Sequence, residues 1–252
     1  MQTLDLGLIA AHLEGLEETI IHRLIDRAQF AANPVAYAPG HSGFRGAETE
    51  SLFDLRLRHQ EEMDALFGRY HVPEERPFHR DLPDARRRVQ LPEPPLRIAD
   101  LDVVNLTATI VADYLRFLGD LCASHDGADD GQYGSSVEHD VLAIQAIARR
   151  VHYGALYVAE SKFRGAPDAF TRLVTADDRD SILGLITRPE VEERILGRVA
   201  DKVDYVQRTA NRQVRRLIRP DTVLMLYRDT IIPLTKEGEL RYLFNRTPDG
   251  AT

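Results

Sequence analysis

The sequence has no tryptophan, three methionines and one cysteine in 252 residues. The single thiol, Cys122, cannot form an internal disulfide, and it lacks both the companions of a metal cluster and the context of a catalytic cysteine. We therefore expect Cys122 to be a buried apolar thiol, and we predict no metal site.

Long apolar runs are also missing. No stretch approaches the roughly 20 uninterrupted apolar residues that span a bilayer. The N-terminal residues MQTLDLGLIAAHLEG lack the basic region and cleavage site of a signal peptide. We therefore expect a cytoplasmic protein without a membrane partner.

Basic residues are outnumbered, with 32 lysines and arginines against 40 aspartates and glutamates, for a net charge of -8. This balance argues against DNA, RNA or anionic lipid as partners, because those select basic surfaces. A small anionic ligand remains compatible if cations cluster locally. With 43% hydrophobic residues the chain can bury a full core, and we predict one domain over residues 1–252.

Helical periodicity runs through most of the chain, whereas no segment alternates apolar and polar residues as a strand would. In the first 30 residues, apolar side chains recur three and four positions apart at Ile9, Leu13, Leu16, Ile20 and Leu24. We predict an all-α protein, a multi-helix bundle. The predicted helices cover residues 5–30, 48–70, 104–121, 137–163, 168–174, 178–186, 189–213 and 221–245.

Prolines, glycines and serines mark the predicted interruptions. Residues 71–97 are rich in proline and predict a long irregular crossover, and the Asp- and Gly-rich residues 124–134 predict a loop. Ser135 or Ser136 is predicted to cap the helix that follows. Pro233 falls inside the last predicted helix, which should kink or loosen there.

Three segments carry charged side chains among residues suited to a core: RRVHYGALYVAESKF at 149–163, TRPEVEERIL at 187–196 and IIPLTKEGELRYL at 231–243. A single arginine or glutamate in a helix usually belongs to a solvated face. Taken whole and in this order, however, the segments resemble the catalytic helices of the fungal and plant type of chorismate mutase. The segments LEETIIHRLIDRAQFA at 16–31 and GQYGSSVEHD at 131–140 resemble the same family.

This resemblance, which covers nearly the whole chain, implies an all-helical enzyme, usually a homodimer, that converts chorismate to prephenate. The reaction is a pericyclic rearrangement that needs no metal or cofactor. A dianionic substrate must be held folded, which calls for cations at two carboxylates. Negative charge grows on the ether oxygen as its bond breaks, which calls for hydrogen-bond donors in a dry pocket.

The resemblance also implies a role for each site residue. Lys162 would donate to the ether oxygen and to one carboxylate, and Glu239 would donate to the same oxygen in its protonated form, which requires a raised pKa. Arg150 would grip a carboxylate with its bidentate fork. The other substrate-binding side chains implied are Thr235, Glu192, as acceptor for the ring hydroxyl, and Val158.

One departure from the family pattern lies in the first catalytic segment, where the stretch from Gly154 to Lys162 is one residue longer. In a straight helix an added residue rotates everything before it by about 100°, which turns Arg150 away from Lys162. A π-bulge near residues 155–157 would absorb the insertion and keep both side chains in the pocket. We predict such a bulge.

A second departure concerns the carboxylate grip. Ala10 stands where the family has an arginine for the other substrate carboxylate, and His12 lies on another face and is expected to be a surface or interface histidine. Arg188, a predicted substrate-binding residue, stands where the family has an asparagine. If Arg188 replaces the arginine missing at position 10, the substrate pocket keeps the same number of cations. One cation then lies on a different wall of the pocket, so the pocket recognises a substrate of different shape. The substrate is therefore either chorismate or a close enolpyruvyl relative, such as isochorismate or 4-amino-4-deoxychorismate.

The family also has an effector site for aromatic amino acids at its dimer interface. Arg69, Gly134 and Ser135 match that pattern and form the candidate effector site. Gly68 stands where a second arginine is usual, and Glu138 stands where the family often has threonine. The lost cation and the added anion predict weak control, or none, by tyrosine or tryptophan.

Two alternatives stay open. The first is elimination of pyruvate from the same class of substrate, which needs a different proton-transfer geometry. A non-catalytic homologue would keep the helical scaffold and bind a metabolite or a partner protein, and Ala10 favours it. Retention of Lys162, Glu192, Thr235 and Glu239 opposes it, because a scaffold alone does not require them.

Overall fold

A computed structural model of the protein describes residues 4–248, which form helices joined by loops. The ten α-helices of this part are α1 (Leu6–Arg27), α2 (Leu52–Leu66), α3 (Thr107–Leu121), α4 (Tyr133–Tyr153), α5 (Ala159–Gly165), α6 (Pro167–Thr175), α7 (Arg179–Ile186), α8 (Pro189–Gln207), α9 (Pro220–Leu226) and α10 (Ile232–Asn245). The one extended pairing within residues 4–248 is an isolated bridge between Ile98 and Arg246. The all-α prediction is confirmed. Over the same residues, no helix has the length and apolarity to cross a membrane.

The predicted helices are present with shifted ends. The helix predicted at 48–70 is shorter, because Gly68 takes a positive φ of 81° after α2 and a short 3-10 turn, Arg69–His71, follows it. The helix predicted at 189–213 ends at Gln207. Residues 72–100 contain no helix, as the prediction of an irregular crossover required.

Helix starts follow local hydrogen bonding. At α1 the carboxylate of Asp5 accepts from the backbone N–H groups two and three residues later, which caps the helix. The prediction that Ser135 or Ser136 caps α4 is wrong. Because α4 begins at Tyr133, both serines lie inside its first turns, and the Ser136 hydroxyl donates back to the carbonyl of Gln132.

Two π-helical turns interrupt otherwise continuous helices. The first π-turn, Gly154–Val158, joins α4 to α5 and lies at the predicted bulge, which is therefore confirmed. The second π-turn, Tyr227–Ile231, joins α9 to α10 and lies just before Pro233. A proline has no N–H to donate to the preceding turn, so the helix loosens there. The predicted loosening of the last helix is confirmed.

Buried apolar side chains form two clusters. The larger cluster is built mainly from α1, α3, α4 and α9, and it includes Ile20, Ile110, Ile144 and Val223. The smaller one is built mainly from α5, α6, α7 and α10, and it includes Phe163, Phe170, Ile182 and Leu243. Helix α10 reaches both, because Leu234 packs against the larger cluster while Leu240 belongs to the smaller one. The predicted site residues on α10 therefore lie where the two clusters meet.

Candidate active site

The first π-turn decides which way two cations point. Arg150 and Lys162 are 12 positions apart, which in a straight α-helix would place them about 120° apart. The π-turn takes up one residue without the corresponding rotation. As a result both side chains reach α10, where Arg150 contacts Thr235 and Lys162 contacts Glu239, four residues further along the same face.

Arg150 is a buried cation with donors to spare. Its side chain is 3% exposed, and no carboxylate within the described residues pairs with it at ion-pair distance. Nη1 donates to Thr235 Oγ1 at 3.0 Å, whereas the buried Nε has no hydrogen-bond partner. Burial lowers the pKa of Arg150, but arginine's ordinary value is so high that the group remains charged. A buried charge left this open is costly unless an anion completes it.

Lys162 and Glu239 form the second part of the site. Lys162 Nζ lies 2.7 Å from Glu239 Oε2 and donates to the carbonyl oxygen of Ile186 at 2.8 Å. The ammonium is partly exposed, while the carboxyl is buried. Lys162 therefore bridges α5, α10 and the end of α7, with one side open to a ligand.

Burial raises the pKa of Glu239, and the positive charges of Lys162, Arg150 and Lys236 oppose this rise without cancelling it. The direction is the one required of a carboxyl group that donates a proton in a hydrogen bond. Three cations around a carboxyl of raised pKa also give the site a positive potential once the carboxyl is protonated. A small anion suits such a site.

The other predicted substrate-binding residues lie at different depths. Glu192, near the start of α8, is half-buried and pairs with Lys236 at 2.9 Å. Val158 ends the first π-turn and is half-buried. Arg188 directly precedes α8, and its side chain is exposed. The fold therefore ties Glu192 to α10 through Lys236, whereas Arg188 lies at the surface.

The N-terminal helix contributes no cation at the predicted position. Ala10 is exposed on α1, and His12 is exposed and stacks on Tyr153 with ring centroids 4.2 Å apart, so the prediction of a surface histidine is confirmed. Arg149 reaches Glu74 at 3.5 Å and Glu75 at 3.4 Å, away from the Thr235 contact of its neighbour. Of the two adjacent arginines, only the second faces α10.

Three groups of the candidate site were not predicted from the sequence. Lys236 is the cation that pairs with Glu192, and it follows Thr235 directly in the chain. Tyr227, in the second π-turn, is fully buried beside Arg150 with an unpaired hydroxyl. The third is the backbone carbonyl of Ile186, which accepts from Lys162, and the residue type at that position gives no indication of such a contact. The one available signal was the spacing of Lys236, which lies three residues before Glu239 in the third segment and hence near the same helical face.

The candidate effector residues lie apart from this cluster. Arg69 donates to Asp64 at 2.8 Å and to Glu75 at 2.9 and 3.0 Å, so internal carboxylates already occupy its guanidinium. Gly134 and Ser135 are exposed in the first turn of α4 rather than in a loop.

The protein is all-helical, and it places a buried arginine with an unpaired donor beside a lysine and a buried carboxyl group of raised pKa, an arrangement that suits a small anion. No family model matched the sequence. A chorismate mutase of Trichoderma parareesei is 34% identical, with 97% of this chain and 94% of that protein aligned. Chorismate mutase 2 of Petunia hybrida is 35% identical, covering 96% and 93%.

Solved structures agree with these relatives. A chorismate mutase of Candida albicans in complex with L-Trp superposes with a TM-score of 0.87 at 28% identity, covering 96% of this chain and 92% of the other. The chloroplast chorismate mutase of Zea mays gives a TM-score of 0.81 at 34% identity, covering 94% and 92%. The chain belongs to the chorismate mutase family, in its all-helical fungal and plant form.

Proposed function

We propose that this protein rearranges chorismate to prephenate in the cleft between α4, α5, α8 and α10. The observation that carries the proposal is Arg150, a buried guanidinium held by one hydroxyl and lacking an internal carboxylate within the described residues. The names of the relatives support the catalytic interpretation over the non-catalytic one.

Binding would use the cations to hold the dianion folded. The guanidinium of Arg150 suits a bidentate contact with one substrate carboxylate. The hydroxyl of Thr235 donates to the carbonyl of Ile231 at 2.7 Å and accepts from Arg150, so it holds the guanidinium in place. Lys162 would contact a carboxylate and the ether oxygen together. Holding the two ends of the substrate in one folded conformation supplies much of the rate acceleration in a unimolecular rearrangement.

Transition-state stabilisation would fall to Lys162 and Glu239. Their side chains already meet at 2.7 Å, so an ether oxygen beside that contact would accept from both. Glu239 donates only when it is protonated, and the raised pKa of the buried carboxyl favours that form. Glu192, held by Lys236, would accept from the ring hydroxyl.

The second carboxylate has no cation at Ala10. Lys236 on α10 and Arg188 before α8 are the replacements we propose, and Lys236 is the better placed because it already contacts the substrate-binding residue Glu192. A shifted grip of this kind suits chorismate in an altered pose or a close relative such as isochorismate or 4-amino-4-deoxychorismate.

Further properties are part of the same proposal. We propose a cytoplasmic homodimer of single-domain subunits, with the exposed apolar side chains of Met63 and Phe67 at the end of α2 suited to self-association. Structural relatives carry tyrosine or phenylalanine in an allosteric site. In this chain Arg69, Gly134 and Ser135 would form the corresponding site, and the commitment of Arg69 to Asp64 and Glu75 supports weak control.

The experiment that tests the proposed function is turnover of chorismate, isochorismate and 4-amino-4-deoxychorismate by the purified protein, with Lys162→Ala as the site variant. We expect prephenate from chorismate and a loss of about 10²–10³-fold in Lys162→Ala, because a donor in a dry site contributes about 3–4 kcal/mol to the transition state. Arg172→Ala, an exposed cation on α6, is the matched control and should leave turnover unchanged. No turnover of any of the three by the wild-type protein would refute the proposal.

A further inference from the structure

Gly238 lies on α10 between Thr235 and Glu239, and nothing within α10 itself requires a glycine at this position. Its φ is not positive, so its backbone conformation is open to any residue. A glycine in the middle of a helix is unfavourable relative to alanine. Its presence therefore points to something outside α10 that needs the space.

That space is filled by the first π-turn. A Cβ built on Gly238 would lie 2.5 Å from the Cβ of Ala155 and 3.4 Å from Cδ1 of Leu106. Carbon atoms of packed side chains normally stay about 3.5–4.0 Å apart. Gly119 and Gly184, which are also helical, have no atom within 4 Å of such a Cβ, so crowding of this kind is not a general feature of the helical glycines.

The contact matters because Ala155 belongs to the turn that carries the inserted residue. The insertion widens the helix between Arg150 and Lys162, and the widened turn must fit against α10 for both cations to reach it. Gly154, the first residue of the same turn, is also close: a Cβ there would lie 2.7 Å from Cγ2 of Thr235. The π-turn and α10 thus pack at nearly backbone distance along the site.

We propose that Gly238 is a positioning residue for the reaction: it admits the π-turn against α10 and so sets the Arg150–Thr235 and Lys162–Glu239 contacts. This inference rests on the proposed function. A side chain at position 238 would force the two elements apart by about 1 Å, from 2.5 Å to an ordinary carbon–carbon distance. Misplacement of catalytic groups by about 1 Å can reduce the rate about 10²-fold.

The test exchanges a methyl group between the two elements. Gly238→Ala alone should lower kcat for chorismate 10- to 100-fold while KM changes less than about 3-fold, because substrate still finds its cations but the donors are misplaced. The double variant Gly238→Ala with Ala155→Gly removes the opposing Cβ and should recover kcat to within about 3-fold. Gly119→Ala, a helical glycine with open space, is the matched control and should leave kcat unchanged.

A second readout does not depend on turnover. NMR titration of the Glu239 carboxyl should show a higher pKa in Gly238→Ala, because the ammonium of Lys162 is drawn away while the carboxyl stays buried, and a return in the double variant. If the wild-type protein fails to turn over chorismate, the proposed function fails, and this titration still decides whether Gly238 sets the Lys162–Glu239 contact.

Both variants are checked for folding by circular dichroism. A Gly238→Ala protein that does not fold, with a double variant that folds and turns over, supports the proposal. Unchanged kcat and unchanged Glu239 pKa in folded Gly238→Ala would overturn it. A double variant no better than the single one would overturn it as well.

Discussion

Arg27 and Arg150 are both buried arginines on helices of the larger core, and their surroundings are opposite. Arg27 is 0% exposed and ends α1, while Arg150 is 3% exposed and lies near the end of α4. The first has more partners than it has N–H groups, and the second has fewer.

The Arg27 cluster is closed. Its Nε donates to Asp140 Oδ1 at 2.6 Å, and its other nitrogens reach the Tyr37 hydroxyl, the Cys122 sulfur and three backbone carbonyls. Asp140 also accepts from Tyr37 at 2.5 Å and Tyr114 at 2.8 Å. The cluster joins α1, α3 and α4, and no donor of it remains for a ligand. Cys122 is buried in the larger apolar cluster as expected, and its sulfur also accepts from the guanidinium of Arg27.

The Arg150 cluster is open. One donor meets the hydroxyl of Thr235, Nε is unpaired, and the buried hydroxyl of Tyr227 beside it is also without a partner among the described residues. Polar groups left unpaired in a folded protein cost stability and need a reason to persist. A cluster that satisfies itself holds the fold together, whereas one left unsatisfied is suited to a ligand of opposite charge.

The largest effect on stability should come from the closed cluster. Arg27→Met leaves the carboxylate of Asp140 buried without its cation, which we expect to lower the free energy of unfolding by about 3–5 kcal/mol. Denaturant titration measures this change. Arg23→Met, a half-buried arginine on the same helix, should change it by less than about 0.5 kcal/mol. Equal effects of the two variants would show that the Arg27 network is not structural.

The pH dependence of turnover tests the open cluster, in which Glu239 lies near Arg150. Because Glu239 is expected to act in its protonated form, the rate should fall as pH rises through its raised pKa, by about tenfold per pH unit above it. Glu239→Gln keeps an N–H donor that does not titrate, so this alkaline decline should disappear. A pH–rate profile of both proteins measures it, and an unchanged decline in Glu239→Gln would assign the titration to another group.

A smaller gain is expected where the site lacks a cation. Ala10→Arg should raise kcat/KM for chorismate by up to about tenfold, mostly through KM, because a cation on the substrate carboxylate acts mainly in binding. Steady-state kinetics give both parameters. Ala11→Arg, which places an equal charge on the next exposed position of α1, is the control. A decrease with Ala10→Arg would mean that the carboxylate is held elsewhere.

The smallest effect should come from aromatic amino acids. With Arg69 held by Asp64 and Glu75, tyrosine or tryptophan at millimolar concentration should change turnover less than about twofold. A titration at subsaturating chorismate measures the effect. A change of several-fold would show that Arg69 leaves its internal partners for the effector.

Local pattern was enough for much of the fold and for part of the site. Apolar spacing predicts α1 and α3, and Pro233 predicts a kink or loosening of the last helix, next to which the second π-turn lies. The first π-turn is predicted by one residue more than the family pattern has between Gly154 and Lys162. These features have local causes, namely helical periodicity, a one-residue insertion and a missing N–H. Resemblance to a family then assigns chemistry to Lys162 and Glu239 that periodicity alone does not.

What sequence could not show is which charges are already satisfied. Arg27 and Asp140 are 113 positions apart, and nothing in either local sequence announces their contact. The pairing of Lys236 with Glu192, the carbonyl of Ile186 and the commitment of Arg69 likewise depend on how distant helices pack. The sequence does not distinguish an arginine whose N–H groups are all hydrogen-bonded, such as Arg27, from one with an unpaired N–H group, such as Arg150.

The most direct test of that distinction is one variant measured in two ways. Arg150→Met removes the open guanidinium and keeps an apolar side chain of comparable length. It should lower kcat/KM for chorismate by about 10²–10³-fold, through loss of a buried charge-assisted contact. Its free energy of unfolding should stay within about 1 kcal/mol of the wild type, because no internal ion pair is broken. Unchanged turnover, or a loss of stability as large as that of Arg27→Met, would contradict the account.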